Sequence, residues 1–76
     1  MLFDKIRQII CEEFEIDEND VTLDAHLMLD LGFDELDIAD LTMDVEDTFE
    51  IEVSDEALEK IKTVGDLVKF IEQNIN

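Results

Sequence analysis

The stretch Leu31–Asp37 reads LGFDELD and marks the point where a long acidic segment ends and the strongest helical pattern begins. Gly32 can adopt backbone angles that other residues avoid, which suits the last turn of a loop. Asp34 is a candidate N-cap, since its side-chain oxygen can accept a backbone N–H of the first helical turn, and Asp37 follows three residues later. The stretch therefore predicts a loop that ends at Gly32 and a helix that follows Asp34.

The residues after this stretch divide into two faces of one helix that reaches Phe49. One apolar stripe keeps helical spacing and is predicted to face the core; its members are Ile38, Leu41, Val45 and Phe49. A second, shorter apolar row lies on a neighbouring face and consists of Leu36, Ala39 and Met43. Four acidic residues accompany that row: Asp37, Asp40, Glu46 and Asp47. Because packing uses the core face, only the acid-rimmed face is free to bind a partner.

Three further helices are predicted from apolar periodicity and helix caps. The first spans Leu2–Phe14, a short one follows a cap at Ser54 to about Ile61, and the last follows a cap at Thr63 to about Ile75. Together these elements predict an all-α fold, in a single domain over residues 1–76. We expect a four-helix bundle with three longer helices and a short third helix.

Two connecting segments lack a helical period. Residues 16–33 predict a long ordered loop with a turn at Ala25–Leu29. Its apolar residues are expected to be pinned to the core: Val21, Leu23, Leu27, Leu29 and Leu31. Glu50–Val53 alternates apolar and acidic residues, and since no second strand is predicted to pair with it, we expect an extended connector whose apolar residues face inward.

The charge balance favours basic protein partners. The chain has 23 acidic and 5 basic residues, a formal net charge of −18 and a pI near 4.1. Such a surface repels nucleic-acid phosphates and anionic lipids, and it attracts basic protein surfaces. An alternative is that the acidity only keeps a small domain soluble. With no transmembrane-length segment and a lone Cys11, we expect a cytoplasmic monomer without membrane insertion or internal disulfide.

The sequence offers no combination of residues typical of an enzyme. No nucleophile–base pair or metal cluster is apparent, so we expect no catalytic activity. His26 has no second ligand type nearby and is expected to be a solvated loop side chain. Asp17, Glu18 and Asp20 could attract cations, but their spacing does not match an EF-hand loop, so no dedicated metal site is predicted.

The LGFDELD stretch resembles the L-G-x-D-S-L-D signature of acyl carrier proteins, and the similarity extends over the whole chain. In that family the serine between the aspartate and the leucine carries 4'-phosphopantetheine, whose thiol holds acyl chains that can shelter between the helices. Here Glu35 occupies that position, flanked by the matching Asp34 and Leu36. The resemblance implies docking of basic enzyme surfaces on residues Leu36, Asp37, Asp40, Met43, Glu46 and Asp47. We predict that the prosthetic group is absent, since its serine is missing.

Three classes of function remain open. The first is a homologue of the acyl carriers of fatty-acid or polyketide-type biosynthesis, which docks partner enzymes but carries no cargo. The second is a genuine acyl carrier whose serine was replaced artificially, and the third is an acidic helical module unrelated to acyl transfer. Glu35 itself has two interpretations: a carboxylate that interacts favourably with the helix dipole, or a charge that imitates the phosphate of a modified carrier.

Overall fold

The computed structural model describes residues 2–75 and confirms the all-α fold. Four α-helices follow one another along the chain: α1 (Leu2–Phe14), α2 (Glu35–Phe49), α3 (Asp55–Lys60) and α4 (Val64–Asn74). Within residues 2–75 no β-strand forms. The predicted extended connector begins after Glu50, which is the left-handed C-cap of α2, and its apolar side chains, Ile51 and Val53, are partly buried as expected. The last helix ends one residue before the predicted Ile75, which serves as its C-cap.

The core lies between α1, α2 and α4 and confirms the predicted apolar stripes. Fully or almost fully buried side chains come from each of these helices: Ile6 and Ile10 of α1, Leu41 and Val45 of α2, and Val64, Leu67 and Ile71 of α4. Ile38 and Phe49 complete the α2 stripe as partly buried residues packed against this cluster. The short α3 contributes no fully buried side chain, so it rests on the edge of the core and is held mainly by its flanking segments.

Helix starts are fixed by side-chain caps of the predicted kind. Asp34 Oδ1 accepts the backbone N–H of Asp37 at 2.9 Å, and the Asp37 carboxylate accepts the N–H of Asp34 at 3.1 Å. Thr63 and Asp66 form the same reciprocal arrangement at the start of α4. Such capping boxes satisfy backbone donors that the first turn of a helix leaves without partners. The cap at the start of α2 therefore holds Glu35 in a defined first turn.

The loop between α1 and α2 corrects part of the sequence prediction. Val21 and Leu27 are buried as expected, but Leu23 and Leu29 are 50% and 82% exposed. Their predicted places in the core are taken by two other loop residues, Ala25 and Phe33. The reason is that the backbone reverses direction at residues 23–24 and again at 27–31, which turns alternate apolar side chains outward. A short 3-10 helix at Glu18–Asp20 was not predicted either.

His26 is a structural residue rather than the solvated side chain that the sequence predicted. Its half-buried ring accepts the backbone N–H groups of Met28 and Leu29 on Nδ1, at 3.2 and 3.1 Å. The backbone N–H of His26 donates to the carboxylate of Asp30 at 2.7 Å, and the backbone of His26 pairs with that of Thr63 in an isolated β-bridge. The predicted turn accordingly lies slightly later than Ala25–Leu29, with backbone bonds that close on the His26 carbonyl oxygen.

Candidate functional site

The first turn of α2 presents Glu35 to solvent. Gly32 adopts the left-handed backbone expected of it, with φ of +74°, and brings the loop to the Asp34 cap. Glu35 is the first residue of α2 and is exposed. Among residues 2–75 its carboxylate has no hydrogen-bond or ion-pair partner. A free carboxylate at this helix end interacts favourably with the positive end of the helix dipole.

The outer face of α2, defined here as Leu36, Ala39, Asp40, Met43 and Asp47, is open to solvent. Leu36 is 75% exposed and Met43 is 60% exposed, which is unusual for large apolar side chains in a small domain. Ala39, Asp40 and Asp47 are exposed as well. The fold therefore gathers an apolar row and free carboxylates on one side of α2, next to Glu35. Exposed apolar side chains that are rimmed by charge are typical of protein interaction sites.

Two of the acids predicted to belong to the docking residues have structural tasks of their own. Asp37 is half-buried and its carboxylate holds the N-cap, as described above. Glu46 is also half-buried, and its Oε2 accepts the backbone N–H of Val53 at 2.8 Å, which ties the extended connector to α2. The charges of both still contribute to the acidic field. Their hydrogen-bonding capacity is partly used within the protein, unlike that of Asp40 and Asp47.

A cleft of about 420 Å³ opens beside Glu35, and we name it the α2–α3 cleft. Its walls are mostly apolar and come from four segments: Leu27 and Met28 of the loop, Ile38 of α2, Leu58 of α3, and Ile61. Glu35 lies at its mouth together with Asp55 and Glu59 of α3. A cleft of this size lies within the range of about 300–1,000 Å³ that is usual for ligand sites.

Three of the five hydroxyl side chains of the chain are engaged in local hydrogen bonds. Ser54 Oγ accepts the N–H of Ala57 as the N-cap of α3, and Thr63 Oγ1 accepts the N–H of Asp66 as the N-cap of α4. Thr42 Oγ1 donates to the carbonyl oxygen of Ile38 at 2.7 Å. None of these three hydroxyls lies in the first turn of α2. The site itself therefore offers a carboxylate and no hydroxyl.

Cys11, the only cysteine, lies outside this site. Burial raises the pKa of Cys11 above its ordinary value, and the neighbouring carboxylate of Glu18 raises it further. The thiolate, which is the reactive form, is accordingly disfavoured, as befits a half-buried side chain at the edge of the core. Within residues 2–75 no group of three or more His, Cys, Asp or Glu side chains is arranged to hold a metal ion. Nor is any helix in that range long and apolar enough to cross a bilayer.

The fold and the site define a small acidic helical domain with an exposed apolar and acidic face on α2, and comparison with known proteins names the family. The family model for the phosphopantetheine attachment site matches residues 4–71. An acyl carrier protein of Thermotoga maritima is 49% identical over 74 residues, which cover 97% of this chain and 91% of that protein. The chain belongs to the acyl carrier protein family, whose members share the phosphopantetheine-attachment domain.

The solved structures give the same result. A Mycobacterium tuberculosis protein assigned as an acyl carrier protein superposes with a TM-score of 0.89 at 32% sequence identity. The match covers 96% of this chain and 97% of the other. The helical architecture is therefore shared over essentially the full length of both proteins.

The structure brings together most of the residues that the sequence singled out, and adds others. Glu35 and the outer face of α2 lie on one continuous surface. The sequence reasoning did not find the α2–α3 cleft or assign a role to Asp55 and Glu59. A signal was present, since these two acids stand four residues apart on α3 and so share one helix face. That the face adjoins Glu35 depends on packing and is visible only in the fold.

Proposed function

We propose that this protein is an acyl carrier homologue that docks the basic surfaces of acyl-transfer or biosynthetic enzymes without carrying a 4'-phosphopantetheine arm. The observation that carries the proposal is the placement of Glu35: an exposed, unpartnered carboxylate in the first turn of α2, at the edge of an exposed apolar and acidic face. The proposal assigns docking to Leu36, Asp40, Met43 and Asp47, with Asp37 and Glu46 as supporting charges. It gives the protein no catalytic step of its own.

The absence of the arm follows from the chemistry of the side chain. Attachment through a phosphodiester needs a hydroxyl that attacks phosphorus, and a carboxylate would form a labile mixed anhydride instead. The residue at the helix start is Glu35, whereas Ser54 and Thr63 cap other helices and Thr42 donates to a carbonyl oxygen within α2, beyond its first turn. The site does not fit the prosthetic group, and we derive no carrier chemistry through it.

Glu35 supports docking by supplying the charge that an attached phosphate would otherwise place at this position. A basic partner surface meets a net charge of −18, which steers its approach over long distances. At close range the apolar side chains of Leu36 and Met43 give the contact area that charge alone does not provide. The combination favours an interaction module or regulator that works beside carrier-dependent enzymes in the cytoplasm.

The completeness of the motif around Glu35 favours one second candidate. The Asp34–Asp37 capping box is intact, and Leu36 is exposed where the family places its leucine. These features suit a genuine acyl carrier whose serine was replaced artificially. The codon at position 35 of the native gene distinguishes the two candidates at once, because the second requires a serine codon there.

An intact-mass experiment tests the proposal directly. The protein and its Glu35→Ser variant are each incubated with coenzyme A and a broad-specificity phosphopantetheinyl transferase. We expect only the serine variant to gain the mass of the arm, which would show that the scaffold is still recognised and that Glu35 alone prevents loading. Modification of the original protein would overturn the proposal, and mapping the adduct would identify the hydroxyl used. A failure of both proteins to react would restrict the resemblance to the fold.

A further inference from the structure

The α2–α3 cleft combines an apolar interior with a rim of one predominant charge. Leu27 and Ile61 are buried at its base, Ile38 and Leu58 are half-buried in its walls, and Met28 is partly exposed at one side. Such a surface gains free energy when an apolar group displaces water from it. The volume of about 420 Å³ is many times the roughly 30 Å³ occupied by one water molecule. There is room for a bulky side chain.

The charged side chains at the rim of the cleft favour the binding of a cationic group over an anionic one. Three exposed carboxylates line the mouth, on Glu35, Asp55 and Glu59, against one ammonium group on Lys62. The fifth polar group, the His26 ring, has its Nδ1 committed to the backbone N–H groups of Met28 and Leu29. An anionic head group would meet net repulsion at this mouth, whereas a cationic group beside an apolar one would be attracted.

The surroundings of the cleft favour a protein segment over a free small molecule. Glu35 at the mouth is followed directly by Leu36, which is largely exposed on the outer face of α2, and Met28 continues the apolar surface on the loop side. A small amine inside the cleft would leave these side chains in water. A protein partner that crosses the start of α2 covers them and fills the cleft at the same time, which is the usual anatomy of an interface with a buried anchor.

We infer that the α2–α3 cleft receives a bulky apolar side chain of the partner, preferably aromatic, whose neighbouring Lys or Arg pairs with the carboxylates of Glu35 and Glu59. This inference rests on the proposed function, because it names the chemistry of the partner that docks on α2. The docking surface then includes α3, where Glu59 lines the cleft and Glu56 lines a different groove.

Peptide binding provides the test, with two probes that differ at one residue. The first probe is a short peptide of lysine and alanine with one central tryptophan, and the second has alanine in place of the tryptophan. The protein contains no Trp and no Tyr, so the emission of the peptide tryptophan reports its own environment. Amide chemical shifts of the isotope-labelled protein report the contact site for both peptides. We expect a blue-shifted emission, shift changes at Met28 and Leu58, and about tenfold tighter binding of the tryptophan peptide.

A matched pair of variants locates the contact. Glu59→Lys and Glu56→Lys change the same net charge on the same exposed helix, so long-range attraction falls equally in both. We expect Glu59→Lys to remove most of the advantage of the tryptophan peptide and Glu56→Lys to retain it. Equal affinities of the two peptides, or equal effects of the two variants, would overturn the inference.

The same assay separates this inference from the proposed function. Asp47→Lys changes the outer face of α2 away from the cleft. If both peptides bind equally and Asp47→Lys weakens both more than Glu56→Lys does, docking on α2 stands and the anchor in the cleft is wrong. If the tryptophan peptide binds more tightly and Asp47→Lys has no more effect than Glu56→Lys, the cleft stands and the outer face loses its role. Tryptamine is the last probe: binding as tight as that of the tryptophan peptide would assign the cleft to a small amine and overturn the inference.

Discussion

At the scale of the residue, Glu35 is the position on which the proposed function depends. Its carboxylate is exposed and has no partner among residues 2–75, so it contributes little to holding the fold together. The helix dipole gives this carboxylate a small stabilising role, and the proposed function adds a role in partner binding. The proposed role is therefore measured by binding and not by stability.

We expect Glu35→Ala to weaken association with a basic partner by about threefold to tenfold, since removal of an interfacial charge commonly costs near 1 kcal/mol. A broad-specificity phosphopantetheinyl transferase serves as the partner, and titration calorimetry at low salt gives the affinity. The control is Glu12→Ala, which removes one exposed charge from α1. Equal affinities of Glu35→Ala and the original protein would contradict the role assigned to Glu35.

At a second residue, Gly65, a tertiary contact is expected to make a glycine-to-alanine substitution destabilising, although the same substitution usually stabilises a helix. Gly65 lies in the first turn of α4, where alanine is ordinarily better than glycine by about 1 kcal/mol. A Cβ at this position would lie 2.9 Å from the backbone oxygen of Leu23, the same atom that accepts the N–H of Gly65. Backbone atoms cannot move aside as a flexible side chain can.

We therefore expect Gly65→Ala to lower the free energy of unfolding by about 1–3 kcal/mol, as overpacking does elsewhere. Urea unfolding measures this change, and hydrogen exchange at the amides of Val64 and Gly65 locates it. Gly32→Ala is the comparison, because a Cβ there meets nothing within 4 Å and only the positive φ is strained. Gly32→Ala should leave the exchange at Val64 and Gly65 slow. A stabilising effect of Gly65→Ala would contradict this prediction and would show that the loop backbone at Leu23 moves to accommodate the added Cβ.

At the scale of the element, helices were predictable and the loop was not. Each helix is specified locally: the Asp34 and Thr63 capping boxes set two starts, and the spacing of Leu41 and Val45 sets a buried face. The orientation of Leu23 and Leu29 depends on reversals of the backbone, and no periodic pattern encodes these. The same holds for His26, whose ring bonds only once the turn has formed. Local signals therefore gave the bundle and missed the pairing of the loop with residues 62–65.

The candidate functional site likewise has one part that the sequence predicted and one part that it did not. The exposed row of α2 was visible in the sequence because one helix supplies all of it. The α2–α3 cleft is assembled from the loop, two helices and Ile61, so its existence depends on tertiary packing. The bond between Glu46 and the Val53 N–H is similar, since it joins positions seven residues apart across a helix end. Properties of one element were thus accessible, and properties of several elements in contact were not.

The start of α4 gives a prediction about pH. The pKa of Asp66 lies below its ordinary value, chiefly because its carboxylate accepts the backbone N–H of Lys62 at 3.0 Å, and the N–H of Thr63 at 3.1 Å adds to the effect. A pKa that is lower in the folded state than in the unfolded state means that the ionised carboxylate stabilises the fold. That stabilisation is complete above the unfolded-state pKa of about 3.9 and is lost as the pH falls through the folded-state value.

We expect Asp66→Asn to be less stable than the original protein near neutral pH, with a difference that shrinks as the solution becomes more acidic than the ordinary Asp pKa of about 3.9. Urea unfolding at neutral and strongly acidic pH measures both values. Asp24→Asn controls for the loss of one charge from an acidic chain, since Asp24 is exposed in the loop. A difference that stays constant with pH would mean that the charge of Asp66 does not stabilise the helix start.

At the scale of the whole molecule, the high net negative charge opposes folding and favours the binding of basic partners. The protein carries 23 acidic and 5 basic side chains on a domain whose radius of gyration is 11.1 Å. Within residues 2–75 the structure contains a single ion pair, between Arg7 and Asp4, so almost all of the negative charge is uncompensated. Mutual repulsion among these carboxylates destabilises the folded state, while the same field attracts a basic partner.

Salt should therefore stabilise the protein and weaken its docking. Between about 0.01 M and about 1 M NaCl the screening length falls from about 30 Å, larger than the molecule's short axis, to about 3 Å. We expect the melting temperature to rise by about 5 °C or more over this range, as a gain of near 1 kcal/mol would produce in a domain of this size. The affinity for the transferase should fall over the same range, because screening removes the attraction that guides encounter. Thermal melts and calorimetry at matched salt concentrations give both trends, and melts in KCl control for the identity of the cation. A melting temperature that does not respond to salt, or a docking affinity that rises with it, would show that apolar contact and not charge governs the corresponding process.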